Sequence, residues 1–446
     1  MACTLRYLVF LGVLCVLALN LSASRADWPE FRGPFGNGHV TADDSKPIGL
    51  PTTWSETENV RWKAEIPFKG WSTPVILEGK IWLTTATEDG KDYYVLCIDA
   101  ATGKILLNKK LFHCDEPEPL GNTVNTYASP SSAIEPGRVY VHFGSYGTAC
   151  LDTSTFEVLW QRDDLPCRHY RGPSSSVVLF ENLVILTLDG VDQQYLVALD
   201  KKTGHTVWKT NRDVAWHDQD VTGKSEEAAK LALDGDMRKA HSTPLIVKLP
   251  DGEPLMISCG AMSSFAYDPR TGKERWRIVV NDFSVSIRPV YRDGIAYVPT
   301  GNIHPELWAI RASAKGTLTE SDNVLWRQKT GIARTSSPLL VDDLIFMAHD
   351  DGIIRAFDAA DGKLAWQKRV GSSYAASPLY ADGLVFYFDR DGTSTVIKPG
   401  HKFEAVATNT LDEGLMASPT VDGRALILRT KTHLYRIENA APAATK

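Results

Sequence analysis

Short apolar or alternating runs such as Leu339-Leu340-Val341 and Val139-Tyr140-Val141-His142-Phe143 recur along the chain, separated by clusters rich in Asp, Thr and Gly. A period of two marks strands, and the clusters mark tight turns between them. No later apolar run approaches the roughly 20 residues of a membrane-crossing helix.

The strand-and-turn pattern repeats. Ala198-x-Asp200-x-x-Thr203-Gly204-x-x-x-Trp208 and Ala266-x-Asp268-x-x-Thr271-Gly272-x-x-x-Trp276 match closely, and Ala356-x-Asp358-x-x-Asp361-Gly362-x-x-x-Trp366 follows them. Asp152 to Trp160 keeps the spacing but has Phe156 in the glycine position. The Asp accepts backbone N–H bonds in the turn and the Gly supplies positive φ; the Trp offers a broad face to a neighbouring sheet. A second mark, small residues leading into Pro and an apolar strand, occurs at Ser72-Thr73-Pro74, Ser129-Pro130, Ser175-Ser176, Ser242-Thr243-Pro244, Arg288-Pro289, Ser337-Pro338, Ser377-Pro378 and Ser418-Pro419. Its spacings of 56, 46, 68, 45, 49, 40 and 41 residues are those of four-stranded propeller blades with insertions.

These marks predict an all-β fold, an eight-bladed β-propeller of four-stranded antiparallel blades. Small residues belong on each innermost strand, where the blades converge on the axis. Asn59-Val60-Arg61-Trp62 reads as a last strand without its blade, while the final blade stops after His433-Leu434-Tyr435-Arg436-Ile437. Joining the two closes the ring and removes free sheet edges.

The A-x-D-x-x-T-G-x-x-x-W repeat resembles the tryptophan-docking repeat of the pyrroloquinoline-quinone (PQQ)-like propeller superfamily, over about Trp54 to Ile437. That superfamily includes quinoprotein alcohol dehydrogenases and the cofactor-free BamB-like propellers that assist outer-membrane protein assembly. Asp27-Trp28-Pro29-Glu30-Phe31-Arg32-Gly33-Pro34, Asn125-Thr126-Tyr127-Ala128-Ser129-Pro130 and Cys167-Arg168-His169-Tyr170-Arg171-Gly172-Pro173 resemble an exported PQQ-like group of planctomycete-type bacteria.

The ends add a location. Arg6, the apolar run Tyr7 to Leu19 and Ser24-Arg25-Ala26 read as an export signal cleaved near Ala26. Leu14 before Cys15 lacks the small residue a lipidation site needs. The expected organisation is a signal over 1–26, an extension over 27–53, the propeller over 54–438 and a disordered tail over 439–446. The mature chain is expected to be soluble, and periplasmic or extracellular. It carries 46 basic and 54 acidic residues, a formal charge of −8, which makes nucleic acid an unsuitable partner. Cys97, Cys114, Cys150, Cys167 and Cys259 form no vicinal pair. Cys114 and Cys167 stand 15 residues after Asp99 and Asp152, which leaves a disulfide between adjacent blades open.

Catalytic motifs are absent: there is no CxxCH, GxSxG, HExxH or P-loop, and no Gly-rich fingerprint after a strand. Asp350-Asp351-Gly352, Asp389-x-Asp391-Gly392 and Asp234-Gly235-Asp236 read as hairpin turns, lacking the distal Glu of a calcium loop. His142 reads as a packed residue. No cofactor is expected, since neither PQQ nor calcium finds a ligand motif.

Loops entering the innermost strands gather at one mouth of a propeller, which is the expected site. Trp71, Tyr127, His241 and Met416 stand three residues before the Pro mark, Arg334 and Tyr374 four before it, and Arg171 nearby. Arg288 replaces the small residue of blade 5 and is expected to face the channel, paired with a carboxylate of a neighbouring blade or with a bound anion. Glu226 to Leu233 consists of strong helix formers inside an insertion over about 212–240; with Trp216-His217-Asp218-Gln219-Asp220 before it, it predicts a short helix capping the mouth. The expected function is a non-catalytic protein- or peptide-binding scaffold of the cell envelope, acting as a monomer. The alternative is a PQQ-dependent oxidoreductase or a carbohydrate-active enzyme using the mouth.

Overall fold

A computed structural model describes residues 27–42, 47–121 and 124–440; the expected signal over 1–26 and the tail beyond 440 lie outside the described residues. Eight sheets follow one another along the chain, each an antiparallel meander, with first strands Val75–Leu77, Ala133–Glu135, Val178–Phe180, Leu245–Lys248, Val290–Arg292, Leu339–Val341, Leu379–Ala381 and Thr420–Asp422. We number the blades 1 to 8 in that order. The first strand of blade 1 touches those of blades 2 and 8, and the first strands of blades 6 and 7 touch each other, as strands surrounding an axis do. Blade 4 carries an extra parallel strand, Gly316–Thr317, beside Glu274–Val279.

The repeat residues act as the sequence predicts. In blade 3 the Asp200 carboxylate accepts the N–H groups of Lys202 and Thr203, and Gly204 turns the chain at φ 73°. Trp160 of blade 2 lies over that glycine: a Cβ there would sit 2.8 Å from its ring, and its indole N–H donates to Lys201 O at 2.9 Å. Trp208, Trp276, Trp326 and Trp366 each donate in the same way to a carbonyl of the following blade. Phe156 holds the glycine position of blade 2 at φ 63°; the facing position of blade 1 is Leu107 rather than Trp, and both join one apolar cluster.

Blade 8 is completed by the beginning of the chain. Val60–Glu65 pairs antiparallel with His433–Ile437, placing Trp62 opposite Arg436 and Glu65 opposite His433. Trp62 then docks on blade 1, donating to Ala100 O at 3.1 Å above Gly103. The interface at the closure is therefore built like those docked by Trp160, Trp208, Trp276, Trp326 and Trp366. The core lies between the sheets: Ile81, Leu96, Leu426 and Leu434 are fully buried in the cluster that spans this closure.

The insertion holds the predicted helix at Glu226–Leu233, with Ser225 as its N-cap. Cys114 and Cys167 are both free, so the disulfide left open by their spacing is not formed. His142 is buried, its Nδ1 2.8 Å from the Thr148 hydroxyl, and burial pushes its pKa down to about 3.

Candidate functional site

The side chain two residues before each first strand points to the axis. In sequence order these are Thr73, Ser131, Ser176, Thr243, Arg288, Ser337, Ser377 and Ser418. Seven of the eight blade junctions are stitched by one hydrogen bond, in which the backbone N–H of one such residue donates to the hydroxyl of the next. Thr73 N–H donates to Ser131 Oγ at 2.9 Å, and Ser418 N–H donates to Thr73 Oγ1 at 3.3 Å to close the circle. The five between them run at 2.9–3.0 Å. The stitch is missing between blades 4 and 5, where Arg288 has no hydroxyl; there Ser242 Oγ donates to Ile287 O at 2.8 Å. Small hydroxyl residues are thus required by hydrogen bonding as well as by limited volume.

Arg288 is buried at 2% exposure on the axial side. Its partner is Glu30 of the N-terminal extension, at 3.1 Å, rather than a neighbouring blade's carboxylate; it also donates to Phe31 O and Pro244 O. Burial raises the pKa of Glu30 against the pull of Arg288.

This contact belongs to a plug. Residues 27–40 cross the axis beyond the hydroxyl ring: Trp28 exchanges backbone hydrogen bonds with Ile76, Pro29 O accepts from Ile134 N–H, and Gly38 O accepts from Tyr380 N–H. Arg32, also 2% exposed, donates to Pro338 O and Pro378 O at 2.7 and 2.9 Å. Burial, and then the Arg288 charge, bring its pKa down to about 9. Gly33, at φ 80°, admits the Trp28 ring, which would lie 2.8 Å from a Cβ. The axial cavity, about 590 Å³, includes Phe31 in its lining together with the mouth residues, so the passage is a blind well with Phe31 at its floor.

The upper wall is formed four residues before each first strand. Trp71, Ser129, Ser174, His241, Ser286, Thr335, Ala375 and Met416 all line the well. Three expected site residues, Trp71, His241 and Met416, belong to this ring, and Arg171 and Arg334 line the well as well. Tyr127 and Tyr374 do not. The equivalent of Pro74 in blade 2 is Ser132, two residues after Pro130, because the first strand begins at Ala133. Tyr127 therefore lies six residues before the strand; it packs edge-on against Tyr93 and Tyr146 and donates to Glu118 O. Tyr374 falls five before its strand, in the alternate phase that points into the blade. It is 1% exposed and packs on Tyr387.

The charges of the well fall into two groups. On the side of blades 3 and 4, Arg171 donates to both carboxylate oxygens of Asp236 at 3.2 and 3.1 Å, and the buried Lys239 ammonium donates to the same carboxylate. Burial opposes ionisation of Asp236, but these partners outweigh it and hold the carboxyl below its usual range. His241 meets Ser174 Oγ at 3.0 Å, and burial together with the Lys239 charge lowers its pKa to about 3. Leu231 of the helix and Asp236 just beyond it both line the well, so the insertion borders the mouth as predicted. On the side of blades 6 and 7 stand Arg334, Asp350 and Arg390. Among the described residues neither guanidinium has an ion-pair partner, while Asp350 accepts the Thr335 hydroxyl at 3.1 Å.

Sequence reasoning missed Asp236, Lys239, Phe31 and Arg390. Of these only Arg390, in a turn at the mouth end of blade 7, carried a signal, since turn residues facing the mouth are readable once the blades are aligned.

A family model described as outer membrane protein assembly factor BamB matches residues 51–223 and 192–441. No curated protein matches the chain. Among solved structures, the quinohemoprotein alcohol dehydrogenase from Comamonas testosteroni is similar, with a TM-score of 0.62, 13% identity, and 94% of this chain and 82% of that one covered. A europium-containing methanol dehydrogenase has a TM-score of 0.60 at 11% identity, covering 90% and 89%. BamB from Moraxella catarrhalis has a TM-score of 0.56 at 14% identity, covering 86% and 98%. Identities this low establish the fold alone.

Among the described residues, few ligands for a calcium-bound quinone line this well. Its two carboxylates are Asp236, taken up by Arg171 and Lys239, and Asp350, bonded to Thr335. No cysteine lines it. Among the described residues no three His, Cys, Asp or Glu side chains converge as metal ligands.

Proposed function

The chain belongs to the family of outer membrane protein assembly factor BamB, and from that premise we propose that it is a non-catalytic binding or scaffolding module of the cell envelope, holding a protein or peptide at the mouth of its well. One observation carries the reading. The well pairs an open, partly apolar rim with charged and polar groups already engaged inside the protein: Asp236 is held between Arg171 and Lys239, and burial pushes the pKa of His241, bonded to Ser174, down to about 3. A general acid or base needs a pKa near the working pH and a free valence toward substrate, and neither group has both. At the rim, Ile303 and Val124 line the well at 53% and 40% exposure, apolar side chains that an occupant of the well would cover. No helix among the described residues is long and apolar enough to cross a membrane. On this reading the protein works outside the inner membrane after residues 1–26 are removed, and acts as a monomer.

Photo-crosslinking in the native host tests the proposal. Benzoylphenylalanine in place of Ile303 is expected to give a discrete adduct with an envelope protein, whereas the same probe at Leu364, 43% exposed on an outermost strand, gives none. Equal labelling at both positions, or none at 303, contradicts it.

A further inference from the structure

We infer that the mouth takes an acidic peptide segment, whose carboxylates pair with Arg334 and Arg390 while a neighbouring apolar side chain rests on Trp71 and Met416. The inference deepens the peptide-binding reading and rests on it.

The argument starts from where charge is left over. Arg171, Asp236 and Lys239 form a closed set whose valences are met inside the protein. Across the well, Arg334 is exposed and Arg390 half-buried, and among the described residues no carboxylate pairs with either. Arg334 is also an outlier in position. It sits five residues before its strand, and in every other blade that place is held by a buried residue: Gly70, Ala128, Pro173, Ala240, Val285, Tyr374 or Leu415. The sole exposed side chain at this place in the ring is therefore a guanidinium lining a cavity. A guanidinium offers five donors in a planar fork that matches a carboxylate, and two on adjacent blades favour an anionic ligand over a neutral one. Asp350 stands on the same side, so this part of the well keeps a surplus of one positive charge in a chain whose formal charge is −6.

Shape separates a peptide from a small anion. A second cavity of about 510 Å³ shares Trp71, Arg390 and Met416 with the well and continues outward past Phe68. An occupant following both would be extended, passing the apolar shelf of Trp71 and Met416 as it leaves the guanidinium pair. In the outer cavity Glu88 and Asp391 offset Lys69 and Lys431, which leaves Arg390, shared with the well, as the surplus charge.

The test is fluorescence anisotropy with the mature full-length chain and three labelled nine-residue peptides, alternating leucine with glutamate, glutamine or lysine. The glutamate peptide is expected to bind at least tenfold tighter than the other two and to weaken as salt rises. The Arg334→Gln, Arg390→Gln double variant is expected to lose at least tenfold for the glutamate peptide alone. If that variant misfolds by circular dichroism, Arg334→Gln at its exposed site carries the test by itself. Equal binding of all three peptides, or an unchanged glutamate affinity in the variant, overturns the acidic-ligand assignment and leaves the binding reading intact. Absence of peptide binding with the crosslink at 303 retained likewise overturns this assignment alone, while loss of the crosslink removes both.

Discussion

At the residue scale, the axial ring shows how one position serves two roles. Seven of its members are hydroxyl residues that stitch blade to blade; the eighth, Arg288, holds the plug through Glu30 and Phe31 O. Arg288→Ser would supply the missing hydroxyl yet leave the half-buried Glu30 without its counter-charge, and Phe31 O and Pro244 O without their donor. Removing one partner of a fully buried ion pair typically costs about 3–5 kcal/mol; with Glu30 partly exposed, the variant is expected to be less stable by somewhat less than that in guanidinium unfolding. A variant as stable as the parent would show that the hydroxyl ring, and not the plug, sets stability at blade 5. The inward direction of Arg288 was legible from the sequence because a charge stood where its seven counterparts are small. Its partner was not, because the extension has no repeat to align it with the ring. Tyr127 was misplaced for a simpler reason: Pro130 resembles the blade proline but precedes the equivalent position by two residues, and the period of two kept the error hidden.

At the element scale, the glycine of a docking turn does two things. Gly204 takes φ 73° and also lies under Trp160, whereas Gly383 takes φ 74° and a Cβ added there would meet nothing within 4 Å. Alanine at Gly383 is expected to cost about 1–2 kcal/mol, the penalty of a left-handed conformation. At Gly204 the same change adds a clash with the Trp160 ring, and overpacking brings a further 1–3 kcal/mol or so. Equal losses at the two sites, measured by thermal or denaturant unfolding, would contradict the docking role given to Trp160. The strands, turns and docking tryptophans were legible because each repeat spells out its own turn chemistry. Even the exception was readable, since Phe156 replaces Gly where blade 1 offers Leu107 in place of Trp. The helix at Glu226–Leu233 was legible from composition alone. The ion pair that Asp236 makes with Arg171 was not, since it joins the insertion to the loop entering blade 3 and no periodicity links the two.

At the scale of the whole molecule, two segments near the beginning of the folded chain act on the ring. Val60–Glu65 completes blade 8, and residues 27–40 close the axis, turning a channel into a well with a single mouth. The closure was foreseeable because an unpaired strand at one end matched a missing strand at the other. The plug was foreseeable only as a stretch resembling the opening of a related group, with no indication of where it would dock. The binding reading depends on this arrangement, because without the closing strand and the floor the two rings would not converge on one cavity. Native-state hydrogen exchange tests it most directly. The amides of Val60–Glu65 and of Ile76, Ile134 and Tyr380, which the plug covers, are expected to exchange only through global unfolding, at the same free energy as the core strand Ala425–Arg429. Exchange of the 60–65 strand or of the plug-covered amides at a much lower free energy than that strand would contradict a ring closed by its own N-terminal segment.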